Sequence, residues 1–134
     1  MSDVAPQVAR EPTIVVVDDE SSIRAVLSCL LQDDGYIVHC AQNGKEALQM
    51  VKAVMPALVI TDLMMPEMSG LELAYAIQQN SALAHIPIIL MTGAYFPASA
   101  DRQSLFSDVL QKPLSATLLR KKISRWTHFP GEGA

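Results

Sequence analysis

Cysteine is scarce in this chain: Cys29 and Cys40 are the only two among 134 residues. Two cysteines are too few for a disulfide scaffold or a cysteine metal centre, so both are expected to be reduced, partly buried thiols. A basic surplus is also missing. Ten Lys and Arg face 14 Asp and Glu, giving a formal charge of -4 and a pI of about 5.2. That balance argues against a general nucleic-acid or membrane-surface binder and favours protein partners. No apolar run approaches the length of a membrane span, and the opening MSDVAPQVAREP has neither the charged start nor the apolar stretch of a signal peptide. The expectation is a cytoplasmic protein with no membrane insertion. Internal repeats and low-complexity tracts are lacking as well.

What the chain does have is an apolar content of 50%, enough for the core of one domain. Residues 1–10 mix Pro, Ala and polar types without periodicity and are expected to form a flexible leader. Residues 130–134 are expected to form a flexible tail, leaving 11–129 as the domain. Between these ends, apolar runs of strand length alternate with helix-period segments, the pattern of an α/β protein with a parallel sheet and covering helices. Ile14–Val17 is the first strand. Ile23, Val26, Leu27, Leu30 and Leu31 recur at helical spacing up to a stop at Gly35. Tyr36–Ala41 is predicted as strand two. Asn43 caps a second helix whose apolar face is Ala47, Leu48, Val51, Val54 and Met55. Strand three, Ala57–Thr61, leads into the loop Met65–Gly70, helix Leu71–Asn80 and strand Pro87–Met91. The segment 93–106 is interrupted by Tyr95-Phe96-Pro97, so only Ala98–Phe106 could form a short helix. A short strand Asp108–Gln111 and a helix from about Ser115, with Leu119, Ile123 and Trp126 buried, complete the pattern.

Charges stand at the ends of these runs. Asp18 and Asp19 follow the first, Asp62 the third, and Lys112 lies just after the last. A parallel sheet places all its strand carboxyl ends on one edge, where open α/β sheets bind ligands. Three carboxylates crowded there repel one another unless a hard cation such as Mg²⁺ and a lysine balance them. Each residue has an ordinary reading in isolation. Asp18 or Asp19 could cap a helix, Asp62 and Thr92 could be turn residues, and Lys112 a solvated charge. Capping does not account for two adjacent acids together with Asp62. His39, His85 and His128 are scattered over strand, loop and tail, and are expected in packing or surface roles. Met64, Met65 and Met68 cluster beside Asp62 and could rim a partner site.

VVVDDE at 15–20, TDLMMPEMSG at 61–70, MTG at 91–93 and KP at 112–113 occur in this order at strand ends. Together they make the chain resemble a response-regulator receiver domain over nearly its whole length. The resemblance implies a flavodoxin-like, doubly wound five-stranded sheet in the order 2-1-3-4-5 with helices on both faces. It implies a stoichiometric phosphoacceptor, not an enzyme, modified on Asp62 by a histidine kinase or histidine phosphotransfer protein and acting on a downstream protein target, with homodimer formation left open. It further implies Mg²⁺ as cofactor, bound by Asp19, Asp62 and the backbone carbonyl of Met64, with Asp18 holding metal-bound water. Lys112 and the Thr92 hydroxyl would meet the phosphoryl oxygens, Asp62 would be exposed and unpaired by arginine, and the bond before Pro113 would be cis.

Two departures from the family pattern stand out. Val109 occupies the position, three before the lysine, where such domains often carry Tyr or Phe, although Phe106 lies one helical turn earlier. The segment 93–106 is short and proline-containing where the family has its fourth helix. The expectation is that Gly93–Pro97, with Tyr95 and Phe96, carries the response to phosphorylation. Two rival functions meet the residues less well. An aspartyl-nucleophile phosphatase would carry Asp-x-Asp after strand one, whereas this chain has Asp18-Asp19-Glu20. A non-phosphorylated interaction module conflicts with intact Asp19, Asp62, Thr92 and Lys112, and only Val109 favours it.

Overall fold

The hydrophobicity of each run decides where its strand lies. In the computed structural model, which describes residues 12–93 and 105–127, β1 (Thr13–Val17), β2 (Ile37–Ala41), β3 (Leu58–Asp62), β4 (Ile88–Thr92) and β5 (Asp108–Gln111) form one parallel sheet in the order β2-β1-β3-β4-β5. The continuously apolar runs become β1, β3 and β4, buried on both faces. Mixed runs take the edges: Ile-Val-His-Cys-Ala in β2 and Asp-Val-Leu-Gln in β5 are partly exposed. A strand covered on both sides has no place for a polar alternation, and an edge strand tolerates one.

Side chains alternate between the faces. On one, Val15, Val17, Val59, Ile88 and Leu90 pack with Ala47 and Val51 of α2 (Gly44–Val54) and with Leu73, Ala74 and Ile77 of α3 (Gly70–Gln79). On the other, Ile14, Val16, Leu58, Ile60, Ile89, Met91 and Leu110 meet Leu27 and Leu31 of α1 (Ser21–Asp33) and Leu119 and Ile123 of α4 (Ala116–Thr127). The fold is a flavodoxin-like doubly wound sheet, as the resemblance implied, and the alternation of runs had pointed to its parallel sheet and covering helices.

Helix ends follow local chemistry. α1 stops at Gly35, whose φ of 96° suits glycine, and the N–H groups of Gly35 and Tyr36 donate to the carbonyls of Gln32 and Leu31 at 3.0 and 3.1 Å. Asn43 caps α2 by accepting from the Glu46 N–H at 2.7 Å, while Glu46 accepts from the Gln42 N–H at 2.8 Å. Ser69 and Glu72 form a capping box at the start of α3.

Several expectations need correction. Cys29 is exposed, not partly buried, and Val26 is 64% exposed. α1 buries only Leu27 and Leu31, because its contact with the sheet is a narrow stripe. Met55 does not continue the apolar face of α2. It adopts a left-handed φ of 48° just past the helix and is exposed. Phe106 precedes β5 outside any helix and is buried in the α2–α3 core, with Leu105 and Val109 packed against it. Boundaries shift by a residue at β1, β2, β3, α3 and β4, so that Asp62 and Thr92 are the last residues of their strands and do not follow them. The expectations for residues 1–10, Tyr95, Phe96, the helix from Ala98, His128 and 130–134 fall outside the described residues.

α4 is tied down by a polar hub at the start of β5. The Asp108 carboxylate accepts from Lys122 Nζ at 2.5 Å and from Trp126 Nε1 at 3.2 Å, and it lies 3.6 Å from Arg125.

Candidate functional site

Strand register puts the acids on one level. Val17 pairs with Thr61, so Asp18 stands level with Asp62, which pairs with Met91, which pairs with Leu110. Thr92 and Gln111 form the next row outward, and Lys112 follows, its N–H donating to the Thr92 carbonyl at 2.9 Å. The sheet's carboxyl edge therefore gathers Asp18, Asp19, Asp62, Thr92 and Lys112 from four strand ends.

Lys112 sits at the centre of this group. Its Nζ lies 3.2 Å from Asp18 Oδ2 and 3.2 Å from Asp62 Oδ1. Burial pulls its ammonium down, but the Asp18 and Asp62 carboxylates outweigh that and hold its pKa above the ordinary lysine value. Asp62 moves up as well. Its carboxyl is pushed above the usual range first by burial and then by the Asp18 charge, against the bonds from Lys112 and the Leu63 N–H. One ammonium shared by two carboxylates leaves the pair undercompensated. Asp62 was expected to be exposed, yet its side chain is only 12% accessible. Its position inside the carboxylate group requires that burial, and Lys112, not arginine, is the cation beside it.

The two adjacent acids differ. Asp18 is wholly buried, with Oδ1 accepting from the Glu20 N–H at 2.9 Å and Oδ2 from Lys112. Asp19 is exposed. Neither caps α1, whose N-cap residue is Glu20, without a side-chain cap bond. Asp18, Asp19 and Asp62 each offer one oxygen, all within 4.8 Å of one another. Oxygens around Mg²⁺ at its usual bond length stand roughly 3 to 4.2 Å apart, so small side-chain adjustments would bring this set into its shell. The donor chemistry fits a hard cation. Thr92 is buried at the adjacent row, and Met64 is 74% exposed in the loop after Asp62. The Lys112–Pro113 peptide is cis.

Some contacts had no signal in the sequence. Arg24 reaches back across the first turn of α1, its Nη1 donating to the Asp18 carbonyl at 2.7 Å, and nothing in an isolated arginine announces that. Gly70 is one Cβ away from the Asp62 backbone: an added Cβ would lie 2.2 Å from the Asp62 carbonyl oxygen. The glycine ending the TDLMMPEMSG string is visible in sequence, but the collision that explains it is not. Of the described histidines, His39 lies in β2 and His85 before β4, and neither belongs to the acidic cluster. Cys40 is half-buried with its thiol pushed up by burial, the opposite of a reactive thiolate.

Fold and site together define a doubly wound α/β protein with a cation-competent acidic site and a shared lysine at the sheet's carboxyl edge. The family is then direct: the model of the response regulator receiver domain matches residues 14–124, and the chain belongs to that family. It is 36% identical over 118 residues to the sensor histidine kinase TmoS of Ectopseudomonas mendocina, an overlap of 85% of this chain and 12% of that protein. The chain thus spans about an eighth of that relative's length. The chemotaxis protein CheY4 of Vibrio cholerae superposes with a TM-score of 0.81 at 31% identity, covering 87% of this chain and 99% of that one. The response regulator TrrA of Thermotoga maritima, solved in complex with Mg²⁺-BeF, gives a TM-score of 0.78 at 34% identity over 86% and 98% of the two chains. The protein is a receiver domain of two-component signalling. No helix among the described residues is long and apolar enough to cross a membrane.

Proposed function

We propose that the protein accepts a phosphoryl group on Asp62 from a phosphohistidine of a histidine kinase or histidine phosphotransfer protein, and in doing so switches a surface for a downstream protein target. The observation that carries this reading is the shared lysine: Lys112 Nζ is 3.2 Å from both Asp18 and Asp62, beside a third carboxylate. Similarity to a histidine kinase and to a regulator solved with Mg²⁺-BeF supports it.

The residues divide the work. Asp62 attacks phosphorus through a carboxylate oxygen. The phosphorus–nitrogen bond breaks, its electron pair returns to a ring protonated at the other nitrogen, and neutral imidazole leaves. Asp19, Asp62 and the Met64 backbone carbonyl would hold Mg²⁺, with Asp18 orienting bound water. Once bound, Mg²⁺ neutralises charge on the transferring phosphoryl oxygens. Lys112 turns from the Asp62 carboxylate to a phosphoryl oxygen, and the Thr92 hydroxyl donates to another. Asp18 keeps Lys112 charged and in place. The protein is then a stoichiometric acceptor, not an enzyme that turns over a substrate, and residues 11–129 would be its working unit.

Incubation with Mg²⁺ and a small acyl phosphate, followed by intact mass and mapping of the modified residue, tests the proposal. One base-labile phosphoryl group on Asp62, absent from Asp62→Ala, is expected. A parent that remains unmodified would favour a receiver-fold interaction module, the reading Val109 keeps open.

A further inference from the structure

The loop 63–69, which carries Met64, is held at both ends by glycines with no space for a side chain. At its far end Gly70 lies against the Asp62 carbonyl and donates its N–H to the Leu63 carbonyl at 2.8 Å. The other contact comes from a different element. Gly44, the first residue of α2, donates its N–H to the Met68 carbonyl at 3.2 Å, and a Cβ at Gly44 would fall 2.5 Å from that oxygen and 2.9 Å from Met68 Cβ and Cγ. Real Cβ atoms essentially never approach within 3.0 Å.

Backbone conformation does not call for glycine here. Gly35 is the only glycine with positive φ among the described residues, and a helical φ suits alanine better than glycine. Close approach is what excludes a side chain. The Gly44 N–H is also one of the donors that a helix leaves without an internal acceptor, so α2 gives it to the loop. The start of α2 is a firm anchor, since the Asn43 side chain accepts from the Glu46 N–H at 2.7 Å and the Glu46 carboxylate accepts from the Gln42 N–H at 2.8 Å.

We infer that Gly44 is a positioning residue for the metal site: by letting the start of α2 close on Met68, it holds the 63–69 loop so that the Met64 backbone carbonyl can complete a divalent-cation site with Asp19 and Asp62. This inference rests on the metal reading proposed above. A methyl group at residue 44 pushes Met68 away by a few tenths of an ångström or more. Mg²⁺ demands near-ideal octahedral ligands at short distance, whereas Ca²⁺ accepts longer and irregular ones. The displacement therefore penalises Mg²⁺ more than Ca²⁺, which mere loss of stability would not do.

The test compares the parent, Gly44→Ala and Val51→Ala, a core truncation two turns along the same helix, by calorimetric titration with Mg²⁺ and with Ca²⁺. Gly44→Ala is expected to weaken Mg²⁺ binding roughly tenfold, the scale of lost support behind a metal ligand, and Ca²⁺ binding distinctly less. Val51→Ala leaves both affinities near the parent's. An unchanged Mg²⁺ affinity in Gly44→Ala, or equal losses for the two cations, would overturn the inference. A measurement on the parent guards against a variant that does not fold. If opening the Gly44–Met68 contact disables the site, Mg²⁺ must by linkage suppress that opening, so saturating Mg²⁺ should slow hydrogen exchange at the Gly44 amide and leave the Gly35 amide unaffected. A parent that binds Mg²⁺ with Gly44 exchange unchanged defeats the positioning role alone. A parent that binds no Mg²⁺ defeats the metal reading and this inference together.

Discussion

Lys112 stands between the Asp18 and Asp62 carboxylates, 3.2 Å from each. Burial first and Asp18 second raise the Asp62 pKa above its ordinary 3.8. Between 3.8 and that raised value the folded protein binds more protons than the unfolded chain, so stability falls as pH rises through this window, and the cost persists at neutral pH. Asp62→Asn should therefore melt above the parent at pH 7 in the absence of Mg²⁺, with the difference shrinking as pH approaches 4. A scanning-calorimetry series in pH checks it, and an equal or lower Tm at pH 7 counts against it. Lys112 has the opposite effect. Its raised pKa means that it contributes stability below its ordinary 10.5, which is lost as pH rises through the folded value. Lys112→Met leaves the wholly buried Asp18 without its ammonium and is expected to cost about 1–3 kcal/mol in urea titrations, the penalty of a buried charged group losing a hydrogen-bond partner.

Asp108 acts at the level of elements, joining β5 to α4. Burial tends to raise its pKa, but Lys122, Trp126 and the Val109 N–H outweigh that and hold it below 3.8. A lowered carboxylate pKa contributes stability that is complete above the unfolded value and is lost as pH falls through the folded one. Asp108→Ala should cost about 1–3 kcal/mol at neutral pH by leaving the Trp126 N–H and Lys122 without their acceptor. The deficit relative to the parent narrows below pH 4. Helix α3 offers a second test of an element. Ser69→Ala removes the cap acceptor for the Glu72 N–H and should lower stability by about 1 kcal/mol, measured as a shift of the urea midpoint at constant slope. A change of slope instead would point to altered packing of the 63–69 loop.

For the whole molecule, a cation that binds the three carboxylates in the folded state alone must raise its stability. At ten times its Kd, Mg²⁺ adds about 1.4 kcal/mol, which for a domain of this size raises Tm by roughly 4–8 °C. Asp19→Asn should abolish most of that rise while melting near the parent without metal, because Asp19 is exposed. A Tm shift that survives Asp19→Asn would place the cation elsewhere.

The sequence alone determined the periodicities, and these follow from local physics: a strand buried on both faces reads as a nearly continuous apolar run, and an amphipathic helix repeats its apolar residues near 3.6. From that came β1, β3 and β4, the Asn43 cap, the Gly35 stop and the presence of acids at strand ends. Tertiary structure decided whatever depends on two segments meeting. It set the level of Asp18 with Asp62 through strand register, the sharing of Lys112 between them and the burial of Asp62. It also set the exposure of Val26 and Cys29, whose apolar or soft side chains carry no mark of which helix stripe the sheet leaves uncovered, and of Met55, which the left-handed cap of α2 turns outward. Arg24 and Gly44 show the same limit most plainly. A guanidinium reaching the Asp18 carbonyl, and a glycine required by a backbone oxygen 24 residues away in the chain (Gly44 to Met68), are contacts between distant positions, and no local pattern encodes them.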